Sequence, residues 1–365
     1  MDNQVKSSNK IRQSKQSNQI KQNKIDWVSK KLINSNKVNK LLSKSLIDNQ
    51  FTNYGPNVQL LEQIIKEKLQ IQDNKSVVVV NNGSSALQIL ANSINYHHKQ
   101  SYQWATQSFT FPPSAQGTLS NVKIIDIDLE GGINLEEVDD TIDGIIVTNI
   151  FGNIVNITKY EKWANENNKF LIFDNAATSF TFFNGKSCCN YGNGATISFH
   201  HTKPLGFGEG GAIIVDKKYE NEIRCLINFG INLTDEYWVK EGNNYKMSDI
   251  SAAYIIQYLD NFNNLVEKHK QLYSYFKTKL PNHIKFFPSF HDGDNILPSC
   301  FCILFDNYND DTRLKLLENN IFCRKYYHPL KDTKNTLYIY NKILCLPCHS
   351  DMTTQDIDTI IDLLN

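Results

Sequence analysis

The sequence predicts an α/β protein: a mostly parallel sheet flanked by helices, followed by a smaller α+β unit. Three observations predict it. From Asn57 onward short apolar runs alternate with helical patterns, as strands joined by crossover helices do. After Asp249 a long helical pattern carries Ile255, Tyr258, Leu259, Phe262, Leu265 and Val266 at helical spacing to about Leu280. The 365 residues suffice for two units sharing a core. The expected division is a tail at 1–25, a large unit at 26–250 and a small unit at 251–365.

The tail is almost entirely Asn, Gln, Ser and Lys, with six basic residues against the single acid Asp2. Such a segment buries too little apolar surface to order itself, so it reads as a disordered extension. It lacks the interleaved aromatics of a nucleic-acid arm. The expected strands then follow at Val77–Val80, Lys123–Asp128, Ile145–Phe151 and Phe170–Phe173. Helices are expected from Ser85, near Thr158–Asn167 and near Thr354–Leu364. Two further apolar runs, Ala195–Phe199 and Ala212–Val215, bracket a glycine-rich stretch.

Lys+Arg and Asp+Glu balance at 38 each, so net charge points to no anionic macromolecule. No run of about 18 apolar residues exists and the N-terminus has no signal-peptide pattern, which predicts a cytoplasmic protein without a membrane partner. Eight cysteines without a repeated spacing read as reduced thiols, and no metal site is expected. Cys345-Leu-Pro-Cys348-His349 matches the c-type haem attachment motif, but that chemistry belongs to exported chains, so a strand end carrying two thiols is the expected reading.

Residues 198–211 read SFHHTKPLGFGEGG. Gly206-x-Gly208-x-x-Gly211 spells a dinucleotide fingerprint, which requires a strand before the glycines and a helix after them. Here the glycines run into Ala212-Ile-Ile-Val215, an apolar strand, so the context for a nicotinamide-dependent oxidoreductase fails. The stretch is instead a tight loop between strands, with glycines that let the backbone turn behind a side chain. That side chain is Lys203.

Four further features fall at strand ends, where ligands gather in parallel sheets. Asp174 closes the apolar run Phe170–Phe173. Asn82-Gly83-Ser84-Ser85 follows Val77–Val80 and opens a helix, a place whose free amides and hydroxyls suit a phosphate. Ser198 stands five residues before Lys203, and Phe111 lies in Ser108-Phe-Thr-Phe111. Together they supply what pyridoxal phosphate needs: a lysine, an anion for the ring nitrogen, a phosphate cradle and a flat group. Each also has a purely structural reading: Asp174 as a turn residue, 82–85 as a capped helix start, Ser198 as a strand serine, Phe111 as core.

With these motifs in order, the chain resembles the DegT/DnrJ family of pyridoxal-phosphate sugar aminotransferases, of the fold-type-I class. The resemblance runs from about Thr52 to the C-terminus. It rests on Tyr-Gly-Pro at 54–56, Asn-Gly-Ser-Ser-Ala-Leu at 82–87, Ser-Phe-Thr-Phe at 108–111, Phe-Asp-Asn-Ala-Ala at 173–177, Ser-Phe-His-His-Thr-Lys at 198–203, Glu-Gly-Gly-Ala at 209–212, Asn-Tyr-Lys-Met-Ser-Asp at 244–249, Tyr-Tyr-His-Pro-Leu at 326–330 and Leu-Pro-Cys-His at 346–349.

The resemblance implies that Lys203 holds the cofactor as a Schiff base and moves the substrate proton. Asp174 would pair with the ring nitrogen, and Phe111 would stack on the ring. Gly83, Ser84, Ser85 and Ser198 would bind the phosphate, with Asn244 reaching it from the other subunit of a homodimer. Lys246, Tyr326 and His328 would contact the substrate, a nucleotide-diphosphate sugar, and L-glutamate would donate the amine. The implied reaction is amination at carbon 4 of a 4-keto-6-deoxy sugar such as dTDP-4-keto-6-deoxyglucose. The alternatives are amination at carbon 3 of a 3-keto sugar nucleotide and a non-catalytic, cofactor-binding regulatory protein. Two positions depart from the family pattern: Ala177 replaces a Gln or His that contacts the ring hydroxyl, with Asn175 or Thr178 as possible substitutes, and Lys246 replaces an arginine. A dehydrating subgroup has histidine in place of the lysine, so Lys203 favours amino transfer.

Overall fold

The computed structural model describes residues 24–178, 180–232, 237–288 and 297–364. Most of the expected tail at 1–25 lies outside them. Seven strands form the main sheet: β1 (Lys75–Val80), β2 (Trp104–Gln107), β3 (Lys123–Ile125), β4 (Gly144–Thr148), β5 (Phe170–Asp174), β6 (Gly194–Ser198) and β7 (Gly211–Asp216). Their spatial order is β1-β7-β6-β5-β4-β2-β3. β2 through β6 pair in parallel, as the alternation predicts. The exception is β7, antiparallel to both β6 and β1. The connection 199–210 holds no crossover helix, so the chain can only fold straight back, and a parallel return is closed to it.

The strands are buried on both faces, and alternate residues feed two cores. Val77, Val79, Ile145, Val147, Leu171 and Phe173 point to one side with α2 (Pro56–Lys68) and α4 (Ile157–Glu166). Val78, Val80, Ile146, Ile172 and Ile213 point to the other with α3 (Gly83–His98) and α5 (Glu220–Ile227). That two-sided burial explains why these strands read as continuous apolar runs rather than alternating ones.

The long helical pattern after Asp249 resolves into two helices, α6 (Asp249–Leu259) and α7 (Phe262–Lys279). The break falls at Asp260-Asn261, residues whose short polar side chains compete for backbone groups and favour helix ends over interiors. Beyond α7 lies a three-stranded antiparallel sheet, β8 (Ile284–Phe286), β9 (Cys300–Phe305) and β10 (Ile343–Pro347). It packs with α8 (Asp310–Glu318) and α9 (Thr354–Leu364) around its own core of Phe276, Phe301, Leu316 and Ile360. Ile25 belongs to this core too, bridging to Ile321 in parallel. From there residues 26–34 run past the main sheet to α1 (Ser35–Ile47).

One buried carboxylate ties α1, α2 and α6 together. Asp249 accepts hydrogen bonds from the Ser45 hydroxyl, the Asn57 amide at 2.7 Å and the Val58 N–H at 2.8 Å. Replacing it leaves the Ser45 hydroxyl and the Val58 N–H buried without this acceptor, whereas the Asn57 amide keeps the Leu41 carbonyl at 3.1 Å. Asp249→Ala should therefore cost at least about 3 kcal/mol of unfolding free energy. Urea denaturation followed by circular dichroism measures it, and a loss below 1 kcal/mol by the same scale would contradict the role.

Candidate active site

The carboxyl ends of β4, β5 and β6, the start of α3 and the edge of β9 surround one cavity of about 500 Å³. Seven residues singled out from sequence line it: Gly83, Ser84, Phe111, Asp174, Ser198, Lys203 and Tyr326.

Lys203 sits in a turn that prolongs the β6–β7 hairpin. Phe199 N–H donates to Gly210 O and His201 N–H to Gly208 O, each at 2.8 Å, and Gly206 N–H closes the turn onto Lys203 O at 3.0 Å. A Cβ on Gly206 would overlap the His200 carbonyl oxygen, so only glycine fits there. The glycines of the opening stretch thus build the lysine's turn. Lys203 is only half-buried as a residue because it lines an open cavity, but its amine lies deep among protein atoms. Burial pushes its pKa down, and the Asp174 charge opposes that.

Asp174 ends β5, next to Thr196 of β6 in register. Its Oδ1 accepts from Ala176 N–H at 3.0 Å and from the Thr196 hydroxyl at 3.3 Å. Burial drives this carboxyl's pKa up, while the Ala176 amide, the Lys203 charge and the Thr196 hydroxyl hold it down. Beside the pair, α3 opens at Gly83 with Asn82 as its cap, the Asn82 carbonyl side chain accepting from Ser85 N–H at 2.8 Å. The amides of Gly83 and Ser84, in the first turn, have no carbonyl one turn back to bond. A Cβ on Gly83 would stand 2.9 Å from Ser198 Cβ, so glycine lets the Ser198 hydroxyl approach the helix start. The result is an anion cradle of amides and hydroxyls.

The remaining walls are aromatic. Phe111 is 56% exposed, its ring 6.2 Å from that of Tyr327, which stacks on Phe151 at 4.8 Å. Opposite, the Arg324 guanidinium lies 5.0 Å from the Trp27 ring centroid and donates to the Tyr326 hydroxyl.

A sequence model of the DegT/DnrJ/EryC1/StrS aminotransferases matches residues 33–365. The chain belongs to this family. The family's cofactor is pyridoxal phosphate, and its members are sugar-nucleotide transaminases. Over 343 residues the chain is 26% identical to a dTDP-4-amino-4,6-dideoxy-D-glucose transaminase of Shigella dysenteriae, covering 86% of this chain and 91% of the relative. A UDP-4-amino-4,6-dideoxy-N-acetyl-beta-L-altrosamine transaminase of Campylobacter jejuni is 25% identical, with coverages of 88% and 92%. An aminotransferase of Helicobacter pylori involved in the biosynthesis of pseudoaminic acid shares the fold with a TM-score of 0.80 at 17% identity, covering 94% of this chain and 98% of that one.

The DegT/DnrJ cofactor fits the residues present: a cradle for its phosphate, a buried carboxylate and a buried amine converge on one cavity. Four residues singled out from sequence do not line it. Ser85 is buried in the first turn of α3, its amide taken by the Asn82 cap. His328 is exposed and bonds the Tyr340 hydroxyl at 2.8 Å. Lys246 donates to Asn228 Oδ1 at 2.8 Å and lies over the Phe229 ring. Asn244 is exposed, bridging to Asn228. Ala177 does line the cavity, whereas Asn175 and Thr178 turn into the core. Asn175 accepts from Asn149 at 2.6 Å, and Thr178 donates to the Asn149 carbonyl at 2.8 Å. Neither stands in for the missing polar group.

The haem-like motif dissolves in the same way. Cys345 and Cys348 enter different cores, Cys348 lies 3.7 Å from His269 Nδ1, and His349 Nε2 meets the Asp26 carbonyl.

Sequence reading missed Lys31. Its ammonium donates to the carbonyls of Lys203 at 3.0 Å and Pro204 at 3.2 Å and to the Tyr258 hydroxyl at 3.1 Å, fastening the lysine turn from below. Nothing in the local sequence marks it, because its partners lie 172 or more residues away. Burial lowers its pKa from 10.5 to about 8, against a smaller opposing pull from Asp351. Between those values the unfolded chain binds the extra proton, so this group's contribution to stability rises with pH. The stability difference between wild type and Lys31→Met should thus grow from pH 8 to pH 10, by at most about 1.4 kcal/mol per pH unit. Urea titrations at stepped pH check it, and a difference that shrinks with pH contradicts it.

Proposed function

We propose that this chain aminates carbon 4 of a nucleotide-linked 4-keto-6-deoxy sugar, with L-glutamate as donor and dTDP-4-keto-6-deoxyglucose as the best candidate acceptor. The observation that carries the reading is the convergence of Lys203 and Asp174 on one cavity beside the α3 cradle. The activities of the Shigella and Campylobacter relatives support the sugar class.

Bound pyridoxal phosphate supplies an electron sink for the carbanion formed at the substrate carbon. Lys203 Nζ holds the cofactor and, once released, takes up and returns the substrate proton; its lowered pKa makes the neutral amine accessible for that work. Asp174 keeps the cofactor's ring nitrogen protonated, its carboxylate fixed by the Ala176 amide and the Thr196 hydroxyl. Gly83, Ser84 and Ser198 bind the phosphate, joined by Ser85 through the helix start. Phe111 covers the ring, and Tyr326 contacts the sugar nucleotide. Incubation with dTDP-4-keto-6-deoxyglucose and glutamate, followed by mass spectrometry and NMR, should yield the 4-amino sugar; no product from it, with amination of a 3-keto-6-deoxy sugar nucleotide instead, would overturn the regiochemistry.

Lys203→Ala should lose both turnover and the borohydride-reducible visible absorbance while keeping its circular dichroism. Asp174→Asn should keep the cofactor yet fall at least about a hundredfold in rate, since an amide cannot hold the ring proton. Near-normal turnover in either variant would sink its assigned role.

We also propose a cytoplasmic homodimer with shared sites. Asn244 is exposed among Phe229, Ile231, Tyr237 and Trp238, apolar side chains that are themselves exposed, the last by 71%. A surface of this kind suits a second copy. In that dimer Asn244 serves the neighbour's cofactor phosphate, and Lys246 and His328 serve substrate. Asn244→Asp and Lys203→Ala should each be inactive alone. Refolded together in equal amounts they should recover about a quarter of wild-type activity, because half the dimers are mixed and each mixed dimer has one intact site. Verified mixed dimers with no activity would rule the shared site out.

A further inference from the structure

Three thiols meet at the edge of the Lys203 cavity. Cys300 and Cys302, two apart on β9, share one face, and Cys345 of β10 stands directly opposite Cys302. Cys345 exchanges both backbone hydrogen bonds with Arg324, and the Cys302 carbonyl accepts from Phe287 N–H. The main-chain groups of 302 and 345 therefore point away from each other, the arrangement in which facing side chains come closest. The Sγ separations are 3.4 Å for 300–302 and 3.1 Å for 302–345, and all three sulfurs lie within 4.8 Å of one another. None of these residues is more than 3% exposed. Cys300 nevertheless lines the cavity, which gives the cluster a route to solvent.

A buried cysteine is ordinarily a small apolar residue, and Cys348, three residues along from Cys345, behaves as one in the other core. Three converging thiols are different chemistry. Soft sulfur ligands select copper(I) and zinc among common ions. At a metal–sulfur distance of about 2.3 Å, tetrahedral ligation sets sulfurs about 3.8 Å apart. The two close pairs need spread by less than about 1 Å to reach that spacing.

We propose that Cys300, Cys302 and Cys345 form a binding site for one thiophilic metal ion, zinc(II) or copper(I), entered from the cavity that holds Lys203. On binding, three S–H bonds break, three metal–sulfur bonds form and three protons pass to solvent, with no change of oxidation state. Copper(I) is satisfied by three sulfurs; zinc takes a fourth ligand, a water, from the cavity side. With three protons lost, the three thiolates outweigh the ion's charge, so the loaded site is net negative and holds the nearby Lys203 amine in its protonated, non-nucleophilic form; loading therefore inhibits the enzyme and a chelator restores activity. That consequence rests on the proposed function, whereas the binding does not.

The test uses the cofactor-loaded full chain kept reduced with a phosphine. Zn²⁺ and Cu⁺ are added separately, each in competition with a chromophoric chelator, and Cd²⁺ reports thiolate ligation through its charge-transfer absorbance. One ion per chain is expected, with the Cd²⁺ band present. Cys302→Ala and, as a second variant should the first not fold, Cys345→Ser should bind at least tenfold more weakly, while Cys225→Ser, remote on α5, should bind as wild type does. The proposal falls if wild type retains neither Zn²⁺ nor Cu⁺ against the chelator. It falls equally if a folded cluster variant binds as tightly as wild type, or if the Cd²⁺ band persists in it. A zinc-only or copper-only result assigns the ion. Inhibition absent from a chain that binds stoichiometrically and turns over would overturn the link to Lys203 and leave both the site and the functional reading standing.

Discussion

Two opposite charges are buried in one cavity, and neither is tenable there alone. Burial drives the Asp174 carboxyl toward its protonated form and the Lys203 amine toward its neutral one, and each charge offsets part of the other's cost. Such a pair adds little to stability by itself, since desolvation consumes the Coulombic gain. It persists because the surrounding fold fixes both ends. The Ala176 amide and Thr196 hydroxyl anchor the carboxylate, and the hairpin turn and Lys31 anchor the lysine. The site is held by backbone geometry rather than by the attraction it displays.

Sheet topology supplies that geometry. β5 and β6 lie side by side in parallel, so Asp174 and the end of β6 emerge at the same edge. The one antiparallel strand then matters most. By folding straight back from β6, β7 makes 199–210 a short, strongly bonded turn and aims Lys203 back over the sheet edge. β7 also lies against β1, where a Cβ on Gly211 would stand 2.5–2.7 Å from the Asn82–Gly83 backbone. The missing side chain at 211 therefore sets how near the phosphate cradle sits to the lysine turn.

What the sequence made legible was what local patterns encode. Asp174 was readable as a carboxylate at an apolar strand end, and Lys203 became readable once a strand, not a helix, was seen to follow the glycines. The phosphate cradle was readable from a strand running into a helix start at 82–85. Lys31, Trp27 and Arg324 were not, because each acts through partners remote in sequence, and a lone cation or aromatic in an irregular segment carries no periodic signal. The direction of β7 was left open for a related reason: apolar runs give strand existence but not direction. The unbroken pattern across Asp260-Asn261 concealed a helix boundary because hydrophobic periodicity continued in phase on both sides.

The proposed function calls for a cation at the substrate's diphosphate. The family resemblance implied a substrate contact for Lys246, yet within one chain that ammonium is engaged by Asn228 and Phe229 and does not line the cavity. Arg324 does line it, held between Trp27 and Tyr326 with the planar fork that matches phosphate oxygens. A single chain therefore brings to its own cavity an arginine of the C-terminal unit, steadied by Trp27. Lys246 can take part only from a neighbouring copy, as in the proposed dimer. Under the proposed dimer, substrate affinity and assembly would be one problem: losing the neighbour would remove Lys246 from the substrate and Asn244 from the cofactor phosphate at once, while Arg324 would remain.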